Sequence, residues 1–333
     1  SIRRTTLSPM VVCERGMNGM GLGMAETRIH TEAPGVTRID HGWGGPGFIA
    51  SYLVEDAGEL ALVEAGPAST LDALLAGIRA AGYDPADLSH VLLTHIHLDH
   101  AAGAGRLAEI APNAAVHVHP RGARHLADPS RLLASAARLY GERMEELWGT
   151  MLPVPAERIR TPADGDAVRV GERSLVALET PGHAAHHFAF HDPDAGLVFS
   201  GDVGGIRLQR ARHVRPPTPP PEVDTPAWLA SIGRLRALEP RMLLPTHFGG
   251  VEDAAWHLDD LEARLRDWTA WAAASAGGDP AALTADLRRR GDAELLEASG
   301  DADLVRRYAE SIPYDMMVAG LLRQARAAPS AAG

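Results

Sequence analysis

The stretch Thr94-His95-Ile96-His97-Leu98-Asp99-His100 sets three imidazoles and one carboxylate within seven residues, directly after the apolar run Val91-Leu92-Leu93. A strand running into such a cluster presents several ligands at its carboxyl end. His95 and His97 can face one metal there, while Asp99 and His100, on the turn that follows, face another. Neutral imidazole and carboxylate suit zinc and other borderline divalent cations. The alternative is a polar loop that happens to be rich in histidine. A stray histidine is usually structural, but three around an aspartate at this spacing are improbable by chance.

At 333 residues the chain can bury a sizeable core as one large domain or two ordinary ones. Its 45% hydrophobic and 23% charged content is that of a globular protein. A net charge of -11 argues against broad binding to nucleic acid or to anionic membrane. The single Cys13 allows no intrachain disulfide, which fits a reducing cytoplasm. No apolar run approaches the roughly 20 residues a spanning helix needs. The opening residues carry Arg3, Arg4 and Arg15 but no sustained hydrophobic region, so they do not read as a secretory signal. Residues 1–24 are therefore expected to be a disordered tail and the protein to be cytoplasmic. Gly19-Met20-Gly21-Leu22-Gly23 has the look of a phosphate loop, yet no strand precedes it.

Strand chemistry begins at Thr37 and continues through Phe48 to Val54 and Glu59 to Glu64. Leu71, Leu74, Leu75 and Ile78 have helical spacing, stopped by Gly82. Ala101 to Ile110 is helix-compatible, and Ala115 to His119 is a short strand. His41 and Trp43, on a glycine-rich turn, either overlook a pocket or cap a sheet. Pro129 to Trp148 reads as one long helix that packs on the body or, as a lid, brings Tyr140 or Trp148 to substrate. Ala167–Val170 and Ser174–Leu178 read as a hairpin joined at Gly171-Glu172. Polar residues then recur wherever a short apolar strand stops: Thr180-Pro-Gly-His183, Ser200-Gly201-Asp202 after Leu197-Val-Phe199, and Thr246-His247 after Arg241–Pro245. Residues 206–222 lack periodicity, and their arginines, Arg207 and Arg210 first, are candidates for an anionic substrate group. The region from 251 to 333 is expected to be helical, packed on a catalytic domain at 25–250 or forming a homodimer contact. Alternation of strands and helices points to a layered α/β architecture.

Taken together and in this order, Thr94–His100, Thr180–His183, Ser200–Asp202 and Pro245-Thr246-His247 make the chain resemble the metallo-β-lactamase-fold hydrolase superfamily, in its glyoxalase II-like or lactonase-like branch. The resemblance covers roughly Thr37 to Gly250. It implies an αββα sandwich of two mixed sheets flanked by helices, with a helical C-terminal extension. By position it places His95, His97 and His183 on a first metal and Asp99, His100 and His247 on a second, with Asp202 bridging. It further implies two zinc ions, with iron or manganese as substitutes, and a bridging hydroxide that Asp99 orients as it passes a proton to the leaving group. Glu64 stands where many relatives have an aspartate behind a ligand, one methylene longer and expected to be equivalent. His186 is expected to be structural or to sit behind the ligands, and His117, His119 and His125 to have no catalytic duty.

The implied activity is cleavage of an ester, thioester or lactone of a small, anionic substrate, without nucleic acid or membrane partners. An acyl-homoserine lactonase is the nearest alternative. An iron-dependent persulfide dioxygenase-like enzyme and a noncatalytic metal-binding module are readings from other classes.

Overall fold

Alternation along the strands decides which layer each side chain joins. In Glu59-Leu-Ala-Leu-Val63 successive side chains point to opposite faces. Leu60 and Leu62 join one core with Leu53, Leu74, Ile78 and Val91. Ala61 and Val63 join another with Tyr52, Val54, Leu175, Phe188 and Phe199. The second core lies between two sheets, and helices cover the outer face of each.

The computed structural model describes residues 28–208, 211–311 and 313–327. The expected tail at 1–24, Cys13 and Arg210 lie outside the described residues. The first sheet runs in order β1 (Arg28–Ala33), β2 (Val36–Asp40), β3 (Ala50–Asp56), β4 (Glu59–Val63), β5 (His90–Leu92), β6 (Ala115–His117) and β7 (Ile159–Arg160). Its first four strands are antiparallel and the rest parallel. The second sheet is built from β8 (Ala167–Val170), β9 (Arg173–Glu179), β10 (Phe188–Asp192), β11 (Leu197–Phe199) and β12 (Met242–Leu243). There only the β11–β12 pair is parallel. The fold is thus the expected αββα sandwich of two mixed sheets.

Helices α1 (Leu71–Ala80), α2 (Leu98–Ala101) and α3 (Ala104–Ile110) follow the first sheet's strands, and α4 (Pro120–Ala127), α5 (Ser130–Tyr140) and α6 (Met144–Trp148) form a connected run after β6. The long helix expected over 129–148 is therefore interrupted. Gly141 takes a positive φ of 54°, which ends α5 before α6 resumes. The strands β1 and β7 were not expected. β7 is two residues long and is set in a proline-punctuated stretch, so no local period marks it.

On the other face, α7 (Thr225–Ala237) and α8 (Ala254–Ala274) bury Trp228, Ile232, Leu258, Leu261 and Leu265 against Ala189, Val198 and Leu243. The chain closes with α9 (Pro280–Ser299), α10 (Ala302–Ser311) and α11 (Tyr314–Ala327). These pack on α8 through Trp268, Leu287, Tyr314, Met317 and Leu321.

What ties the last helices to the sandwich is a buried cation. Arg215 is fully buried and donates to the Tyr308 carbonyl at 3.1 Å and to the Tyr314 hydroxyl at 2.6 Å. Both rings lie within 4.9 Å of its guanidinium. The Tyr314 hydroxyl in turn donates to Asp292 at 2.9 Å. A hydrogen bond to a charged group contributes about 1.5–3 kcal/mol, and an unsatisfied partner costs more than the bond was worth. Tyr314→Phe should therefore lower stability by about 2 kcal/mol, read as a shifted urea midpoint at unchanged slope.

His213 supplies a pH test of the same junction. It is buried against Tyr308, and neither ring nitrogen has a hydrogen-bond partner. Burial, then the Arg264 and Arg215 charges, push its pKa down from 6.5 to about 2. Between those values the unfolded chain binds the proton and the folded chain does not, so stability falls as pH drops below about 6.5. From pH 6.5 to 5 the imidazole should account for about 1–2 kcal/mol of that loss. His213→Asn should flatten the urea-derived stability profile over this window and leave it unchanged above pH 7.

Candidate metal centre

Each strand that stops at one end of the sandwich hands a polar residue to the same place. β5 leads into His95–His100, β11 into Asp202 and β12 into His247, while the β9–β10 connection carries His183. Two backbone bonds stitch that end together. Phe188 N–H donates to the Thr94 carbonyl at 2.7 Å, and Ala50 N–H to the Thr246 carbonyl at 2.9 Å. Gly201 lets the 200–202 turn come close. It has φ 50°, and a Cβ there would sit 2.6 Å from Thr94 Oγ1 and 2.7 Å from His187 Nε2.

The side chains form two adjoining donor sets. His95 Nε2 and His183 Nε2 each lie 2.9 Å from His97 Nδ1. Asp99 Oδ2 lies 3.4 Å from both His100 Nε2 and His247 Nε2. Asp202 touches both sets: Oδ2 is 3.3 Å from His183 Nε2, while Oδ1 is 3.2 Å from His100 Nε2 and 3.3 Å from His247 Nε2. Groups drawn from these residues have one ligand atom each within 4.8 Å of the others.

Outer hydrogen bonds fix which nitrogen of each ring faces inward. His183 Nδ1–H donates to the Pro217 carbonyl at 2.9 Å and His247 Nδ1–H to the Phe48 carbonyl at 2.7 Å. His100 Nδ1–H donates to Glu64 Oε1 at 2.9 Å. Thr94 donates its hydroxyl to Glu64 and so accepts from His95 Nδ1–H at 3.0 Å. Four rings therefore turn Nε2, the nitrogen not spent on an outer bond, into the site. His100 Nε2, His247 Nε2 and Asp202 Oδ1 are buried with no hydrogen-bond partner. In the first set, one proton on His97 Nδ1 cannot serve two nitrogens at 2.9 Å at once. A donor set held this way fits divalent metal, with the second nitrogen of His95, His100, His183 and His247 anchored as in metal-site histidines.

The electrostatics divide the two sets. Burial, reinforced by neighbouring imidazoles, drives the basicity of His95 and His97 well down. Burial opposes charge on His100 and His247 as well, but Asp99 and Asp202 outweigh it. They raise His100 well above the usual range and His247 to about 10. Asp202 is held low by His100, His247 and His183 in spite of its burial. A cation entering the second set therefore competes with protons.

Glu64 organises the layer behind. Its carboxylate receives His100, the hydroxyls of Thr94 and Thr246, and Thr94 N–H at 3.3 Å. Its backbone takes φ 70°, unusual for a residue with a side chain and held by those bonds. His187 is buried behind the ligands, bonded to Thr180 Oγ1 at 2.9 Å. His186 lies beside the site with Nε2 3.6 Å from Glu222, and burial lowers its pKa to about 4. His41 bonds Ser51 and Thr70. His117 pairs with His90 at 3.0 Å, and His119 caps α4 by accepting Arg121 N–H.

A pocket of about 670 Å³ opens over His97, Asp99, His183 and Asp202, a size typical of small-molecule sites. Tyr140, Trp148 and Trp43 line it, so the α5–α6 run is a wall of the site. Arg121, Arg124, His125 and Arg131 line it too. The sequence reading missed these arginines, although Arg121 and Arg124 share one helix face. Pro219–Pro221 and, from the last helices, Glu310, Pro313 and Met316 complete the wall.

The expectation that Arg207 meets substrate is overturned by its partners. It is buried, and its fork grips Asp253 at 2.6 and 3.1 Å while Nε donates to the Ala211 carbonyl. Arg212 lies over the Trp256 ring and Arg215 is the buried cation of the C-terminal junction.

A family profile for the metallo-beta-lactamase superfamily matches residues 44–247. The chain belongs to this superfamily. It is 36% identical over 157 residues to the hydroxyacylglutathione hydrolase of Cereibacter sphaeroides, covering 46% of each chain. It therefore spans about half the length of that relative. A protein of the same name from Fuscovulum blasticum is 28% identical over 285 residues, covering 84% of this chain and 86% of its own. A solved metallo-beta-lactamase family protein from Thermus thermophilus superposes with TM-score 0.64 at 23% identity, covering 88% of this chain and 92% of that one. That likeness shows the fold.

Glu64→Gln replaces an acceptor of the His100 N–H with an amide and should weaken metal retention roughly 10–100-fold, the usual cost of losing a bond behind a ligand. Competition with a chelator measures it directly.

Proposed function

We propose that this member of the superfamily is a divalent-metal hydrolase that cleaves an ester, thioester or lactone, with zinc in both donor sets. The observation that carries the reading is Asp202, one buried carboxylate with an oxygen turned to each set. His95, His97 and His183 would hold one cation and Asp99, His100 and His247 the other. Divalent cations held there supply Lewis acidity and a water-derived nucleophile usable at neutral pH.

The chain's own residues do the rest. Asp99 keeps about a fifth of its side chain exposed toward the pocket, which places a carboxylate where a proton can move between the centre and a leaving group. Tyr140, Trp43 and Trp148 shield that side from bulk water, which strengthens charge interactions within. Among the described residues no cysteine stands in the pocket wall, and Ser135, which does, accepts from Arg138 and has no hydrogen bond to a histidine, in keeping with a mechanism that needs no protein nucleophile. The thioester that the relatives' name denotes is the first substrate to test. A small-molecule substrate fits a pocket of this size. No described helix is long and apolar enough to cross a membrane.

Metal analysis of protein purified without added metal, with an ester, thioester and lactone panel, tests the proposal. About two zinc equivalents and cleavage are expected. One iron with oxygen uptake and no cleavage would overturn it. Asp202→Ala should lose metal and activity together, while His117→Ala should retain both.

A further inference from the structure

The two sides of the pocket differ in chemistry. We propose that they select a two-armed substrate: an ester or thioester with an apolar acyl group and an anionic alcohol or thiol arm. The bond between the arms rests on the hydrolase reading; the arms themselves are read from the walls.

The basic side belongs to α4 and the start of α5. In a chain with net charge -11, many arginines elsewhere are taken by carboxylates, as Arg207 is by Asp253, Arg234 by Asp164 and Arg264 by Glu294, and others by carbonyls, as Arg158 and Arg241 are. Arg121 and Arg131 line the pocket with no carboxylate at ion-pair distance among the described residues, Asp128 acting on Arg131 only from further off. Arg124 reaches only the ring of His125, at 3.1 Å. The other acids of the wall are engaged: Glu222 accepts Ala185 N–H and faces His186, and Glu310 pairs with Arg306. Guanidinium is left in excess on this side. Its planar fork matches carboxylate and phosphate alike.

The mainly apolar side belongs to Trp43 and the rest of the α5–α6 run, where the lining Arg143 is paired with Glu146 at 3.5 Å. Trp43 and Trp148 stack at 5.3 Å with planes 7° apart, and Tyr140 meets Trp148 edge-on at 5.1 Å. Leu139 continues this surface into the pocket while 45% exposed, one of three large hydrophobics left open among the described residues. Exposed leucine at a pocket mouth gains by covering an alkyl group, roughly four-fold in affinity for each methylene buried.

Cleavage of such a substrate adds the oxygen of water to the acyl carbon and breaks its bond to sulfur or oxygen. The leaving arm takes one proton, and the acid formed releases one.

The test uses thioethers, which carry the two arms without a cleavable bond, on metal-loaded protein by titration calorimetry. S-octylmercaptosuccinate should bind at least ten-fold tighter than neutral S-octylmercaptoethanol. That gap should collapse in the Arg121→Ala/Arg131→Ala variant, whose metal content should be unchanged. S-octyl-coenzyme A distinguishes the anion: tighter binding than the mercaptosuccinate assigns a phosphate arm, weaker binding a carboxylate arm. Shortening octyl to methyl should cost more than ten-fold, and Leu139→Asp should shrink that difference. Equal binding of anionic and neutral thioethers, or a gap that survives in the double variant, overturns the proposal. Such a failure leaves the hydrolase reading standing. An inert substrate panel would sink that reading and leave the thioether affinities unaffected.

Discussion

A carboxylate taken out of water at the end of a strand is costly unless its charge is answered. Asp202 is 2% exposed, and the chain answers it with histidines from separate segments. Everything distinctive about this end of the sandwich follows from that demand. The strands β5, β11 and β12 must stop together. Gly201 must bring the turn against Thr94. The outer nitrogens must be bound elsewhere so that the inner ones are free. Glu64 meets the last need for two ligands at once, directly for His100 and through the Thr94 hydroxyl for His95. The centre is therefore one electrostatic unit with a shared carboxylate in front and a shared carboxylate behind.

The architecture and the convergence of the donor residues were legible because each signal is local. A histidine cluster at a strand end, or Ser-Gly-Asp after three apolar residues, states its own context. What the sequence concealed was decided by partners far along the chain. Arg207 looks like a free cation until Asp253, 46 residues on, takes its fork. The break in the 129–148 helix turned on one glycine inside an otherwise continuous apolar stripe. Glu310 and Met316 belong to helices whose own pattern speaks only of packing, so nothing local tells that their edge also borders the pocket. Arg121 and Arg131 were passed over for a related reason. A surface arginine is defined as available only when the structure shows that no acid reaches it.

The distribution of charge has a logic of its own. With a net charge of -11 the chain presents a negative field at long range, while the α4–α5 wall gathers Arg121, Arg124 and Arg131. The proposed discrimination is then one exercised after a ligand has entered, where low dielectric strengthens each contact, and it owes nothing to steering from solution.

The bond from His183 to the Pro217 carbonyl has a consequence in time. Thr218, the next residue, donates its hydroxyl to the Met317 carbonyl, and its own carbonyl lies so near Gly320 that a Cβ there would stand 2.0 Å away. The segment that fixes the His183 tautomer is thus clamped next to Pro217 by α11, about a hundred residues downstream. Contacts of such separation close late. During synthesis both sheets can be complete while His183 still lacks its final orientation, so the proposed first donor set is finished only when α11 has been made and docked.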